Sequence, residues 1–362
     1  MSSSNAHVLL LYGGTWSERD VSLKSAVQVA QWLKDAGIKV LPVRWDADGW
    51  KSASLDDLES ESEPREPWEL LHEYSKSGVE VVFNCLHGGP GEDGSVAAWL
   101  DMFKMAYTGS GVIGGAVSAC KISFRQRVKG MGFKVPQAAV IHQDYWERDS
   151  HQVLEQIRGN IPAPWVVKDP TGGSSDGVVV VQRPRELQQQ ISSVLKRLPL
   201  VLVEQFLVGQ ELSVPCLGMR QGILPQVLQT IEICLPSGVP FDRQVKDSGK
   251  YVDPELQELC SLDLKCPAGI DPDLQLELSR AVKQIHMELD LGTCSRTDLI
   301  LCEDDEFYFL ETNTCPGMTE RSLVPYSARV SGIESSELVR RMIDGAISQH
   351  LRRWNTGGAV DH

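Results

Sequence analysis

No uninterrupted apolar run in the sequence approaches the roughly 18 residues needed to cross a bilayer. The opening MSSSNAH has neither the basic nor the apolar region of a secretory signal. Together these absences point to a cytoplasmic protein with no membrane partner. The nine cysteines include no CxxC pair and are odd in number, so neither a zinc cage nor a disulfide framework is expected. Basic charge is also in deficit. A formal net charge of −14 repels nucleic acid, whose binding depends on basic side chains neutralising phosphates. The motif GxxxxGK(S/T) is missing, which removes the P-loop NTPases, and there is no internal repeat. What is present is 362 residues with 42% hydrophobic content, enough for two or three packed domains.

The first forty residues read as strand, loop, helix, strand: HVLLLY, GGTWSERD, VSLKSAVQVAQWLKDAG and IKVLPVRW. Residues 47–66 are charged and serine-rich, which predicts a surface loop leading into a helix at Pro67 to Ser77. A buried strand, VEVVFNCL, runs into HGGPGEDG and then a helix, closing an α/β unit near residue 115. Beyond Lys121, VPQAAVI, PAPWVVKD, GVVVVQR and PLVLVEQFL read as strands between helices at 149–158 and 184–197, a second, α+β unit. A third unit begins near Gly209, passes an irregular charged stretch at 236–265, and shows a helix at 272–289.

In SRTDLILCEDDEFYFLETNTCPGM, residues 295–318, two apolar runs flank an acidic turn and predict a β-hairpin. With the turn centred between Asp304 and Asp305, Asp298 faces Glu311 and Arg296 faces Asn313, all on one side of the sheet. Facing carboxylates repel, and a divalent cation such as Mg²⁺ would compensate them. An acidic, solvated hairpin face fits the spacing equally well.

In WVVKDPTGGSSDG a strand delivers Lys168 into a loop of glycine and of serines that include Ser174 and Ser175. Such a loop can close its N–H groups around phosphate oxygens or serve only as a flexible connection. YTGSGVIGG contains a formal GxGxxG at Gly109, Gly111 and Gly114. It lies outside the first βα turn and lacks the acid about 20 residues on, so a dinucleotide oxidoreductase is not supported. His87, between a buried strand and a Gly-rich acidic loop, is either substrate-facing or structural. By themselves Glu18 and Ser22 read as a surface acid and a helix-capping hydroxyl.

Taken together, GGTWSERDVSLKSA, HGGPGEDG, YTGSGV and ETNTCPGMTERSLVP resemble, in order, the motifs of the D-alanine:D-alanine ligases, over nearly the whole chain from His7 to Ile347. The resemblance implies a three-domain ATP-grasp architecture of α/β and α+β units: an N-terminal substrate domain at 1–115, a central subdomain at 116–206, a C-terminal subdomain at 207–354 carrying the metal site and a mobile loop, and a tail at 355–362. It implies that Lys121 and Lys168 reach the phosphates of ATP, that Glu204 and Glu211 bind adenine and ribose, and that Ser174 and Ser175 belong to the nucleotide loop. Asp298, Glu311 and Asn313 match the ligands of two Mg²⁺ or Mn²⁺ ions. Glu18 matches the acceptor of the first amino acid's ammonium, with Ser174 as its partner in holding the active-site loop. His87 is placed beside the substrate, Arg296 and the Gly317 backbone at the reacting oxyanion, and Ser322 at the second substrate's carboxylate. The implied reaction joins two D-alanines through an acyl phosphate for peptidoglycan precursors, and the family suggests a homodimer.

The stretch PFDRQVKDSGKYVDPELQELCSLDLKCPAG departs from the family, being longer and lacking the tyrosine after its lysine. The better alignment puts Lys246 at the family's phosphate-contacting, substrate-side lysine and Asp247 at the tyrosine, with Phe241 and Asp242 falling into place; the competing one takes Lys250 and Tyr251 at the cost of an insertion. Cys120 and Asp169 stand where aspartate and proline are common. The second substrate is therefore open between D-alanine and another acceptor such as D-lactate or D-serine. A regulator that has lost catalysis would need damage to Arg296 or the metal trio, and the sequence has none. Asp298→Ala and Glu311→Ala are expected to abolish activity with the fold intact.

Overall fold

A computed structural model describes residues 7–54, 57–58, 62–173, 178–235, 245, 250–252 and 259–355. Its first sheet centres on the strand His7–Gly13, which lies parallel to Lys39–Asp46 on one side and Val81–Asn84 on the other. Val8, Leu10 and Tyr12 enter one core, while Leu9 and Leu11 enter another. All five are fully buried, as a strand covered on both faces requires. Helices Arg19–Asp35 and Ser335–Asn355 cover the first face; helices Pro67–Lys76 and Ser95–Met102 cover the second. Part of the stretch expected as a loop at 47–66 is instead an antiparallel edge strand, Gly49–Ser52. Its single large apolar side chain, Trp50, is fully buried, and the cluster of Trp45, Trp50 and Trp99 around it drives the pairing.

The second sheet has four antiparallel strands in the order Ala138–His142, Leu200–Gln205, Trp165–Lys168, Val179–Val181. Helices Gln143–Asn160 and Pro184–Leu195 pack on it. The first of these starts six residues earlier than the sequence pattern predicts, because it is two helices meeting at Asp149, whose backbone is non-helical. The Asp149 carboxylate accepts from the Gln152 N–H at 2.9 Å, an internal N-cap.

In the third sheet the order is Asp263–Lys265, Ile231–Cys234, Gly209–Leu217, Cys294–Cys302, Phe307–Asn313, with Gln226–Val227 also on Gly209–Leu217. Helix Pro272–Glu288 begins where Asp271 accepts from Asp273 N–H at 2.8 Å, and it shares a core with Phe124, Val128 and the sheet. The stretch predicted as irregular holds, among its described residues, a short ladder of Lys250–Val252 against Leu259–Ser261. The terminal helix Ser335–Asn355 crosses back to the first sheet, where Arg353 bonds Asp101 and Tyr107. No helix among the described residues is long and apolar enough to cross a membrane.

Candidate active site

The hairpin Cys294–Cys302 and Phe307–Asn313 pairs Asp298 with Glu311 and Arg296 with Asn313. Its turn is one half-step tighter than the sequence reading assumed. Asp305 N–H bonds Cys302 C=O at 3.1 Å, Asp305 takes φ of 59°, and Leu301 faces Phe307. A β-bulge between Asp298 and Leu299 absorbs the difference. It leaves Phe307 and Phe309 in the core and turns Glu311 and Asn313 out of it, with Thr312 buried between them.

Asp298 accepts from Arg296 Nη2 at 2.7 Å and Nε at 3.0 Å, and from Ser213 Oγ at 2.6 Å. Burial opposes the charge on Arg296, and the Asp298 carboxylate more than offsets it, so its pKa lies above the ordinary value. Glu311 is paired with Lys121 Nζ at 2.9 Å, and Lys121 also donates to Gly172 C=O at 2.5 Å. Burial again lowers and Glu311 again raises the lysine's pKa, with a net rise. The repulsion between facing carboxylates is thus compensated by two basic side chains. A cation would join this network, not create it. Asp298, Glu311 and the Asn313 carboxamide, whose Oδ1 accepts from Cys315 N–H at 2.9 Å, offer oxygen donors only. That donor set fits Mg²⁺ or Mn²⁺. Among the described residues no group of three His, Cys, Asp or Glu forms a metal cluster, as two carboxylates and one amide would not.

A cavity of about 960 Å³ opens between the sheets, within the range of ligand sites. Glu18, His87, Lys121 and Arg296 line it, as do Glu311, Asn313, Gly317 and Ser322. Two close approaches fix Glu18: a Cβ at Gly88 would lie 1.8 Å from its Oε2 and one at Gly173 2.9 Å from its Oε1. Ser22 lies inside helix Arg19–Asp35 and does not cap it; Glu18 holds the N-cap position. Buried Ser22 accepts from Gly13 N–H at 2.8 Å and donates to Cys85 C=O at 2.7 Å, tying two strand ends together. His87 is buried with both ring nitrogens engaged, Nδ1 to Cys315 C=O at 2.7 Å and Nε2 to Ser25 Oγ at 2.9 Å. A carbonyl can only accept, so Nδ1 carries the proton. Burial lowers the pKa of this imidazole. Ser25 also accepts from Met318 N–H at 3.1 Å, so the histidine braces the first sheet against the 315–318 loop. In that loop Ser322 Oγ lies 3.1 Å from Thr319 N and 2.8 Å from Thr319 Oγ1, at the start of helix Leu323–Val330.

Three residues expected at the nucleotide lie off this cavity's lining. Lys168 pairs with Glu204 Oε2 at 2.5 Å, and Arg125 donates to the other oxygen of that carboxylate. Glu211 stands on Gly209–Leu217, opposite Ile300 and Ile233. Ser174, Ser175, Lys246 and Asp247 lie outside the described residues. Tyr251, the competing position, falls in the ladder strand Lys250–Val252. Arg125 and Glu92, both in the site region, were not singled out in the sequence. Arg125 carried no signal, whereas Glu92 sits inside the HGGPGEDG motif.

The fold and this oxygen-rich, lysine-flanked cleft are those of an ATP-grasp carbon–nitrogen ligase. The sequence models described as D-ala D-ala ligase N-terminus and C-terminus match residues 7–110 and 128–344. Among solved structures, the D-alanyl-alanine synthetase A of Vibrio cholerae superposes with a TM-score of 0.77 at 22% identity, covering 95% of this chain and 99% of its own. The D-alanine-D-alanine ligase of Coxiella burnetii gives 0.76 at 20% identity, covering 98% and 97%. The VanG D-Ala:D-Ser ligase of Enterococcus faecalis gives 0.74 at 23%, covering 96% and 99%. The chain belongs to the D-alanine:D-alanine ligase family, whose ATP-grasp members act on D-alanine-like substrates with a divalent cation and ATP.

Proposed function

We propose that this enzyme joins two D-alanine molecules into D-alanyl-D-alanine, with ADP and phosphate as the other products, in the cytoplasm and for peptidoglycan precursors. The observation that carries the reading is the single cavity lined by Glu18, Arg296, Glu311, Asn313, Gly317 and Ser322. Those side chains and the Gly317 backbone would provide for an ammonium, an oxyanion, a metal-bound phosphate and a carboxylate together. In this reading the chain works as a substrate domain over 1–115 and two ATP-grasp subdomains over 116–206 and 207–354, and as a homodimer.

Glu18 receives the ammonium of the first D-alanine, whose carboxylate attacks the γ-phosphate of ATP, expelling ADP and leaving an acyl phosphate. Lys121 and Lys168 spread the charge of the transferring phosphoryl. Glu204 and Glu211 hold adenine and ribose, and Ser174 and Ser175 close the loop over the phosphates. When bound at Asp298, Glu311 and Asn313, divalent cations supply further charge neutralisation at the phosphate oxygens. The second D-alanine, its carboxylate at Ser322 and the N-terminus of helix Leu323–Val330, attacks the acyl carbon. Arg296 and the Gly317 N–H then stabilise the tetrahedral oxyanion. The tight hold of Asp298 on Arg296 keeps that guanidinium positioned before substrate arrives.

The departure at 240–269 supports a second reading, in which the acceptor is D-serine or D-lactate. Phosphate release from MgATP with D-alanine alone, against D-alanine plus D-lactate or D-serine and with product masses read alongside, separates them. Equal phosphate and dipeptide from D-alanine alone upholds the first reading. Phosphate only with a second acceptor moves the function to the alternative, and none with any acceptor removes the catalytic reading.

A further inference from the structure

Glu92 closes the short helix Gly89–Glu92 and lines the same cavity as Arg296, Gly317 and Ser322. Its Oε1 is buried and has no hydrogen-bond partner among the described residues. The nearest cationic candidate, His87 Nδ1, is 3.9 Å away and already committed to Cys315 C=O. A buried carboxylate oxygen without a donor is costly, and such a group persists where a ligand supplies the donor. Three other acidic groups in and beside the cleft are otherwise engaged. Glu311 holds Lys121, Asp298 holds Arg296 and Ser213, and Glu18 is wedged between Gly88 and Gly173.

We propose that Glu92 binds the ammonium of the second amino acid and accepts the proton which that amine must lose before it can attack. The inference rests on the ligase reading above. Two ammonium groups enter the site, and only the second must become a nucleophile. Its N–H bond breaks, the proton passes to the Glu92 carboxylate, and the freed electron pair forms the C–N bond to the acyl carbon. The C–O bond to phosphate then breaks, and the departing phosphate takes both that electron pair and the second amine proton. Glu92 is faced by Glu18 from the first loop, by His87, by Arg296 and Glu311 from the hairpin, and by Cys315. Burial first, and then the charge of Glu18, push its carboxyl up to about 8, against a hydrogen bond to the Gly88 backbone and the charge of Arg296. A proton affinity near that of an amine suits transfer between them.

Hydroxylamine is uncharged at neutral pH, so it captures the acyl phosphate without needing a proton acceptor. The test measures dipeptide and hydroxamate formation by the wild-type chain, Glu92→Gln and Glu92→Asp with MgATP and D-alanine. Glu92→Gln should lower kcat/KM for the second D-alanine by about 100-fold while leaving the hydroxamate rate within about threefold. Glu92→Asp should restore part of the dipeptide rate, and the alkaline rise of the wild-type pH profile should move upward in Glu92→Gln. Equal loss of both products, or an unchanged dipeptide rate and profile, overturns the proposal. A wild type that makes neither phosphate nor hydroxamate with D-alanine removes the ligase reading, and this one with it.

Discussion

Replacing Asp298 by alanine takes away the only carboxylate hydrogen-bonded to Arg296 among the described residues, and both side chains are largely enclosed, at 11% and 14% exposure. Removing one member of such a pair leaves a charge buried without its partner, which costs about 3–5 kcal/mol. The fully buried Ser213 hydroxyl loses its acceptor as well. Against a total stability of about 5–15 kcal/mol, that is a large fraction. The sequence-based expectation of an intact fold therefore applies poorly to alanine. Asparagine also removes the counter-charge, but it keeps the shape and one acceptor oxygen for the Arg296 guanidinium and the Ser213 hydroxyl, so fewer buried donors are left unpaired and the loss is smaller by about 1–3 kcal/mol. Urea unfolding in EDTA should give that order, wild type, Asp298→Asn, then Asp298→Ala far below. Phosphate release under MgATP should be lost in both variants. An alanine variant as stable as the asparagine variant would refute the argument from pairing, and an asparagine variant with near-normal turnover would remove Asp298 from the metal ligands.

Lys121→Met should raise KM for MgATP at least about tenfold, since one lysine is predicted to serve both Glu311 and the phosphates; steady-state kinetics over ATP concentration checks it. Gly88→Ala, with φ of +64° and a Cβ that would overlap Glu18, should destabilise by about 1–3 kcal/mol and raise KM for D-alanine. Gly78→Ala, at φ of +82° with open space around it, should leave the kinetics unchanged. His286 is buried neutral between Ser295 and the Gly292 carbonyl, and burial pulls its pKa from 6.5 to about 4. The folded state resists protonating it, so its contribution is complete above the unfolded value and is lost as pH falls from about 6.5 towards 4. Urea midpoints across that window should drop more steeply in wild type than in His286→Gln.

How far the sequence speaks depends on whether a feature is local. The hairpin was legible because alternation and an acidic turn are both short-range. Even so, the turn was misjudged by half a step, and the pairing at Asp298 came out the same only because the bulge beside Leu299 compensates. Gly49–Ser52 was hidden because an edge strand with one apolar residue has no period to detect. Ser22 looked like a cap because hydroxyls near helix starts usually are caps; what engages it, Gly13 N–H and Cys85 C=O, is decided by two neighbouring strands. Lys168 and Glu204 were read one at a time, whereas antiparallel pairing sets Lys168 beside Leu202 and within reach of Glu204. Glu92 was passed over for the same reason: burial that strips an oxygen of partners is a property of three converging segments and of no single one.

The return of helix Ser335–Asn355 to the first sheet bears on how the chain is made. Leu338, Val339, Met342, Ile343 and Ala346 complete the core that Val8, Leu10, Val29 and Leu33 begin. As the polypeptide leaves the ribosome, one face of its first sheet must wait, uncovered, until helix Ser335–Asn355 emerges. During that interval the second sheet, whose core draws only on residues between Ala139 and Val203, can already fold. The second sheet would then fold ahead of the first, whose covered face is completed only when helix Ser335–Asn355 docks beside helix Arg19–Asp35.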